Sequence, residues 1–278
     1  MRIPFTKAHG AKNDFLLTWR KDVPERPAHD HHEPDHAAIA RAICHRYTGI
    51  GADGWMLVDP PFDSETHGAI QLYNSDGSTA EISGNGTRCA AAFLIRHNHA
   101  TDFVRIRTGD GIKTLRLLAH HGLVYQFEMN MGHPEITAQN FSLELSGGPR
   151  DVTLLWVGNP QCAVPVDRFD FDWRSLGAEI ERHPLFPNRT NVSFVKPIDA
   201  HTIDVRFWER GAGETMSSGT GSTAAAAMAI ARGLAQSPVR VLTPVGPLDL
   251  RFNHEAHLIG PAELTAQGEF FLEKAGAE

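Results

Sequence analysis

Two serines, each placed directly before a Gly-x-Gly triplet, are the residues through which this chain could do chemistry. Ser83 leads into Gly84-Asn85-Gly86 and then the apolar run Ala90-Ala91-Ala92-Phe93-Leu94-Ile95. Ser218 leads into Gly219-Thr220-Gly221 and then Ala224-Ala225-Ala226-Ala227-Met228-Ala229-Ile230. The offset between them, 218 − 83 = 135 residues, is about half of the 278-residue chain. Each copy reads as a glycine loop opening an alanine-rich helix. Glycine lets backbone N–H groups come close to a ligand, and a helix N-terminus attracts an anion. A ligand between two such ends would meet Asn13, Asn74, Asn85, Asn159 and Asn191 as neutral amides, Arg210 as a fork for a carboxylate and Glu209 as an acceptor for an ammonium. That set matches the zwitterionic head of an amino acid, and domain interfaces are favoured places for small-molecule sites. Serine, asparagine and glycine are also ordinary turn and cap residues, so each position taken alone has a purely structural reading.

The elements that must position these residues repeat in one order. Residues 5–17 read as strand, turn and strand, with Asn13 at the turn. Ala37, Ile39, Ala42, Ile43 and Arg46 keep helical spacing, and Gly49-Ile50-Gly51-Ala52-Asp53-Gly54 ends that helix and feeds a strand at 55–58. A strand at 70–73 runs into the turn Asn74-Ser75-Asp76-Gly77, which delivers Ser83. Strands follow at 103–107, 113–118 and 123–129, the last alternating like a half-buried strand. After Gly132-His133-Pro134 come a strand at 153–157, the turn Gly158-Asn159-Pro160, a helix near 173–182 and strands at 191–195 and 202–208. The loop 211–215, the second alanine-rich helix and strand-like segments at 239–243, 248–252 and 270–272 complete the chain. Two similar α/β domains are expected, 1–132 and 133–261, with a final strand near 262–278 returning to the first.

A 41% hydrophobic share can supply two cores. A formal charge of −7 with a pI near 6.1 and no Lys/Arg cluster argues against nucleic acid as a partner. Nowhere do eighteen apolar residues follow one another, and the first residues form no apolar signal region, so a soluble, cytoplasmic protein is expected with no membrane partner. Cys44, Cys89 and Cys162 form no CxxC pair and no metal-ligand spacing, which points to free thiols. The densest histidines, at 29–36, sit among Pro and Asp and read as a solvated acidic loop rather than a metal site.

Several stretches together carry a resemblance: His9-Gly10-Ala11-Lys12-Asn13-Asp14-Phe15, residues 49–54, 74–77 and 81–89, Gly158-Asn159-Pro160, Asn191-Val192, residues 209–215 and Gly219-Thr220-Gly221. They run nearly end to end, and the chain resembles the diaminopimelate epimerase family. The resemblance implies two pseudo-symmetric α/β domains, each a curled, mostly antiparallel sheet around a central helix, with the substrate in the cleft. It implies cofactor-independent inversion at one α-carbon of LL-/meso-diaminopimelate, on the route to lysine and peptidoglycan, and a homodimer as is common in the family. By position it implies that Asn13, Asn74, Gly84, Asn85, Asn159, Asn191, Glu209, Arg210, Gly219 and Thr220 bind the substrate, with Ser83 and Ser218 at the catalytic positions and Gln161 and Glu214 in support.

The departures fall at the centre of that chemistry. In the family a cysteine precedes each Gly-x-Gly, one thiolate taking the α-proton and the other thiol giving one from the opposite face; here both are serine. The family usually has histidine at Gln161 and often glycine at Lys12. A free cysteine ionises near about 8.5, whereas a serine hydroxyl needs a neighbouring base. Asp76, Glu81, His9, Glu209 and Glu214 are the candidates by sequence, and nothing in the sequence chooses among them. Cys89 and Cys162 do not substitute by position. The expected activity is an isomerase moving a proton beside a carboxylate. An isomerase of another small carboxylate and a non-catalytic amino-acid binder are the alternatives.

Overall fold

The computed structural model describes residues 2–23, 35–61 and 63–272. The histidine-rich stretch up to residue 34 lies outside the described residues.

The first half runs β1 (Arg2–Gly10), β2 (Asn13–Trp19), α1 (His36–Cys44), β3 (Gly54–Asp59), β4 (Gly68–Asn74), β5 (Thr79–Ala80), α2 (Gly84–Arg96), β6 (Phe103–Thr108), β7 (Gly111–His121) and β8 (Val124–Gly132). The second runs β9 (Glu135–Leu143), β10 (Arg150–Trp156), β11 (Pro160–Pro165), α3 (Trp173–Glu181), β12 (Asn191–Asp199), β13 (Thr202–Glu209), β14 (Gly213–Thr215), α4 (Gly219–Ala231), β15 (Val239–Thr243), β16 (Gly246–Phe252) and β17 (Ala256–Phe271). From β10 onward the order of the first half is repeated. The parallel pairs β2–β3, β4–β6, β11–β12 and β13–β15 each enclose one of the four α-helices among the described residues, as parallel neighbours need a crossover. All other pairings are antiparallel.

In the first half the sheet closes on itself. The circuit β1–β2–β3–β4–β6–β7–β8 is completed by β17, which pairs with β8 over 256–263 and with β1 over 263–271. The same strand pairs with β16 at its start, so β17 joins both halves. The second half follows the order β9–β10–β11–β12–β13–β15–β16–β17. Strand β9 has no counterpart in the sequence reading. Ile136, Ala138, Phe141 and Leu143 are its less exposed side chains, but a slip at Gln139–Asn140 breaks the period of two, and its pairing with β10 makes it a strand.

Helices α2 and α4 fill the interiors. Ala90, Ala91, Ala92 and Leu94 are wholly buried in α2, as are Ala224, Ala225, Ala226 and Ala229 in α4. Both belong to one continuous apolar cluster that crosses from half to half. The small alanine side chains explain how strands can surround each helix. Helices α1 and α3 cover the outside, each over its own smaller cluster around Trp55 and Phe194. This arrangement puts the two buried helix N-termini on the seam.

Candidate active site

Helices α2 and α4 meet head to head. A Cβ on Gly84 would lie 3.0 Å from the Gly219 Cα, and one on Gly219 would lie 2.8 Å from the Gly84 Cα, so the absence of both side chains lets the first turns touch. Each helix is capped by its serine: Ser83 Oγ accepts from Gly86 N, and Ser218 Oγ from Gly221 N, both at 3.1 Å. The serine carbonyls take the next amides, Thr87 N at 2.8 Å and Ser222 N at 2.9 Å. The N–H groups of Gly84, Asn85, Gly219 and Thr220 then have no acceptor among the described residues. They sit at two positive helix ends, where an anion is stabilised.

Beside this junction lies a cleft. Asn13, Asp53, Asn74 and Ser83 line it from the first half, and Asn159, Asn191, Glu209 and Arg210 from the second, with Phe15, Leu72 and Ile82 as its apolar wall. Asn85, Gln161, Ser218 and Thr220 are buried, forming the layer behind. Glu214 is elsewhere: its carboxylate makes two bonds to Arg174, at 2.6 and 2.8 Å, on the protein surface.

The amides form a network that fixes the lining. Asn85 Nδ2 donates to Asn13 Oδ1 at 3.2 Å and to the Ser217 carbonyl at 3.0 Å. Asn13 Nδ2 in turn donates to Asp53 Oδ2 at 2.7 Å, and Asp53 Oδ1 accepts from Arg46 at 2.6 Å. Behind Asn85 stands Arg88, wholly buried, bonded to Asn85 Oδ1 and, at 3.1 Å each, to the carbonyls of Gly84 and Pro261. Its guanidinium fits because position 260 of β17 is glycine; a Cβ there would be 3.0 Å from Arg88 Cζ. Asn191 bridges the Pro160 carbonyl and the Arg210 amide, each at 3.0 Å. Arg210 reaches across the cleft to Glu81 of the first half, with which it forms an ion pair. Gln161 Nε2 donates to Asn159 Oδ1 at 2.6 Å and to Thr220 Oγ1 at 3.2 Å, leaving its buried Oε1 without a partner among the described residues.

The candidate bases differ in where they stand. Asp76, Glu81, Glu214 and His9 do not line the cleft, and Glu81 and Glu214 are paired with Arg210 and Arg174. Glu209 remains. Its Oε1 accepts from Thr215 Oγ1 at 2.5 Å, and the Ser218 hydroxyl is close enough to favour the ionised carboxylate. Burial is the larger effect and, with the nearby Asp53 charge, pushes the Glu209 carboxyl up to about 7. A carboxyl that titrates near neutrality in a cleft has the property of a general base. The three cysteines offer no replacement thiolate: all are buried free thiols, and burial pushes each up to about 12.

The repeat extends to the residues of the site. The 135-residue offset of the serines also relates Asn74 to Glu209 (209 − 74) and Ala80 to Thr215 (215 − 80), and β4–β5 pairs as β13–β14 does. The Glu209–Thr215 pair of the second half thus corresponds to Asn74 and Ala80 in the first.

The model of the diaminopimelate epimerase family matches residues 5–137 and 153–265 of this chain. The chain belongs to the diaminopimelate epimerase family. A diaminopimelate epimerase of Halothermothrix orenii is 32% identical over 99% of this chain and 100% of its own length. Another, of Archaeoglobus fulgidus, is 36% identical over 96% of each. Among solved structures, a hydroxyproline epimerase from Agrobacterium vitis with bound trans-4-hydroxy-L-proline has a TM-score of 0.77 at 15% identity, covering 99% of this chain and 94% of that one. A methylitaconate-delta-isomerase has a TM-score of 0.64 at 14% identity, covering 100% and 99%. At such identities these two structures show the fold. The two pseudo-repeated domains expected from the family resemblance are those described above.

The sequence does not single out Asp53 and Thr215 as site residues. Both lie in glycine loops that carried the family resemblance, and that was the available signal. Their roles depend on partners 40 and 6 residues away, Asn13 and Glu209.

Proposed function

We propose that this chain catalyses proton transfer at the α-carbon of diaminopimelate, or of an amino acid of the same shape, without a cofactor and in the cytoplasm. The observation that carries the reading is the Glu209 carboxyl, titrating near about 7 beside Ser218 and next to the junction of two helix N-termini. Removing a proton beside a carboxylate drives negative charge onto the carboxylate oxygens. The free amides of Gly84, Asn85, Gly219 and Thr220 are available to that charge as fixed donors, which need no reorganisation during the reaction. Asn74 Oδ1 and Asn159 Nδ2, unpartnered among the described residues, are an acceptor and a donor for the ligand's other polar groups. Arg210 is the cation of the lining that a second carboxylate would meet. The names of the relatives support diaminopimelate as that dicarboxylate. Three buried free cysteines fit a reducing compartment.

The test is solvent-deuterium incorporation at the α-carbon of LL- and meso-diaminopimelate, followed by NMR. Incorporation by the native chain, lost in Glu209→Gln, is the expected result. A native protein that binds either isomer yet never exchanges the proton would replace this reading with a binding role. That alternative is favoured by one observation, that both serines serve as helix caps.

A further inference from the structure

We infer that proton transfer here is one-sided: Glu209 removes the proton from the substrate's α-carbon and returns one to the same face, so exchange with solvent outruns inversion. The inference rests on the proposed function above and adds its stereochemical course.

Inversion needs a base on one side of the carbon and an acid on the other. The repeat supplies two related sides to the cleft, and their chemistry differs. On the second side stand Glu209 and Thr215, with Ser218 behind them at 2% exposure. There the carboxyl group, rather than the serine, meets the ligand.

The first side has no equivalent. Where Glu209 stands in one half, Asn74 stands in the other, its Nδ2 donating to Ser78 Oγ at 3.0 Å. Alanine replaces Thr215 at position 80. Ser83 does line the cleft, but its oxygen accepts from Gly86 N, and no carboxylate or imidazole bonds it among the described residues. Asp53, the other carboxylate of the lining, has both oxygens engaged: Oδ2 accepts from Asn13 Nδ2 and Asp14 N, and Oδ1 from Arg46. Behind Ser83, Asn85 contributes another amide that neither gives nor takes a proton near neutrality.

The step balances on Glu209 alone. The α-C–H bond breaks as the ionised carboxyl takes the proton, and the electron pair passes into the substrate carboxylate. The resulting Glu209 O–H exchanges its proton with water in the cleft. It then gives a proton back to the same carbon, and the carboxylate is regenerated. Nothing is oxidised or reduced, and the net change in heavy water is deuterium for hydrogen with configuration retained.

The experiment incubates the native protein in heavy water with LL- and with meso-diaminopimelate, reading label by mass spectrometry and configuration by chiral derivatisation. Label should enter about tenfold or more faster than the isomers interconvert, and Glu209→Gln should lose label by about 10²–10⁴-fold. Ser83→Cys puts an ionisable thiol on the deficient side and should raise inversion by about tenfold or more, whereas Ser218→Cys alone should not. Interconversion as fast as labelling in the native protein overturns the inference and leaves the proposed function standing. No label from either isomer, in the native chain or in the Ser83→Cys/Ser218→Cys double variant, removes the proposed function and the inference with it.

Discussion

The two halves of this protein share a scaffold and differ in what they bring to the seam. Each presents a serine-capped alanine-rich helix, a strand pair ending at the cleft, and a tight turn carrying an asparagine. Each also brings one carboxyl, but the first half's Asp53 is tied to Asn13, Asp14 and Arg46, whereas the second half's Glu209 is held by a hydroxyl donor, Thr215. Burial of that one group, with the Asp53 charge nearby, is what moves its titration toward neutrality. Repetition of a backbone therefore does not repeat chemistry. A substitution at a single equivalent pair, Asn74 and Glu209, is enough to make two similar sides unequal.

The largest test of this inequality is its removal. Glu209→Gln makes the sides alike and should lower α-proton exchange by about three orders of magnitude, within the range for a lost general base, whereas Asn74→Ala should cost far less. Exchange rates of the two variants on one substrate decide it; equal losses would mean that the carboxyl is not the base.

The pH dependence should show the same group. Because the ionised form accepts the proton, kcat/KM should rise with pH through about 7. Stability should move the other way. The folded pKa lies above the unfolded value of 4.5, so the native state holds the proton more tightly between those pH values. The stability that Glu209 contributes is complete below about pH 4.5 and is lost as pH rises through about 7. Urea titrations should show a decline on the order of 3 kcal/mol over that window, which Glu209→Gln should flatten.

The helix junction is the point at which the halves should behave alike. Gly84→Ala and Gly219→Ala each place a Cβ against backbone of the other helix, and overpacking of this kind should cost about 1–3 kcal/mol in either case. A large cost at one position and none at the other in thermal unfolding would contradict head-to-head contact.

Smaller and more discriminating is the pair Ser83→Ala and Ser218→Ala. Each removes an equivalent cap and should cost about 1 kcal/mol. Only Ser218→Ala also takes a hydroxyl from Glu209, so it alone should shift the pH–rate profile further upward. Smallest of all is the turn before Asn13. Lys12 adopts φ 61°, where the corresponding turn of the second half has Gly158 at φ 70°. Lys12→Gly should stabilise the protein by about 0.5 kcal/mol, the relief of a left-handed side chain partly offset by glycine's freedom in the unfolded chain.

Much of this was legible before any coordinates. The glycine pairs, the alanine runs and their 135-residue spacing determined that two similar halves would each contain a buried helix opening at a serine, because local backbone demands and burial leave a periodic trace. The motifs named Asn13, Asn74, Asn159, Asn191, Glu209 and Arg210, and all six line one cleft. Strand β9 left a weaker trace, since a slip at Gln139–Asn140 interrupts its alternation and its partner β10 makes it a strand. Nor could the sequence choose a base from five candidates. Glu81 and Glu214 differ from Glu209 only in their neighbours, and those neighbours come from distant residues. A side chain's type is written in the chain; its proton affinity is set by the charges, donors and solvent around it, and only tertiary structure decides which those are.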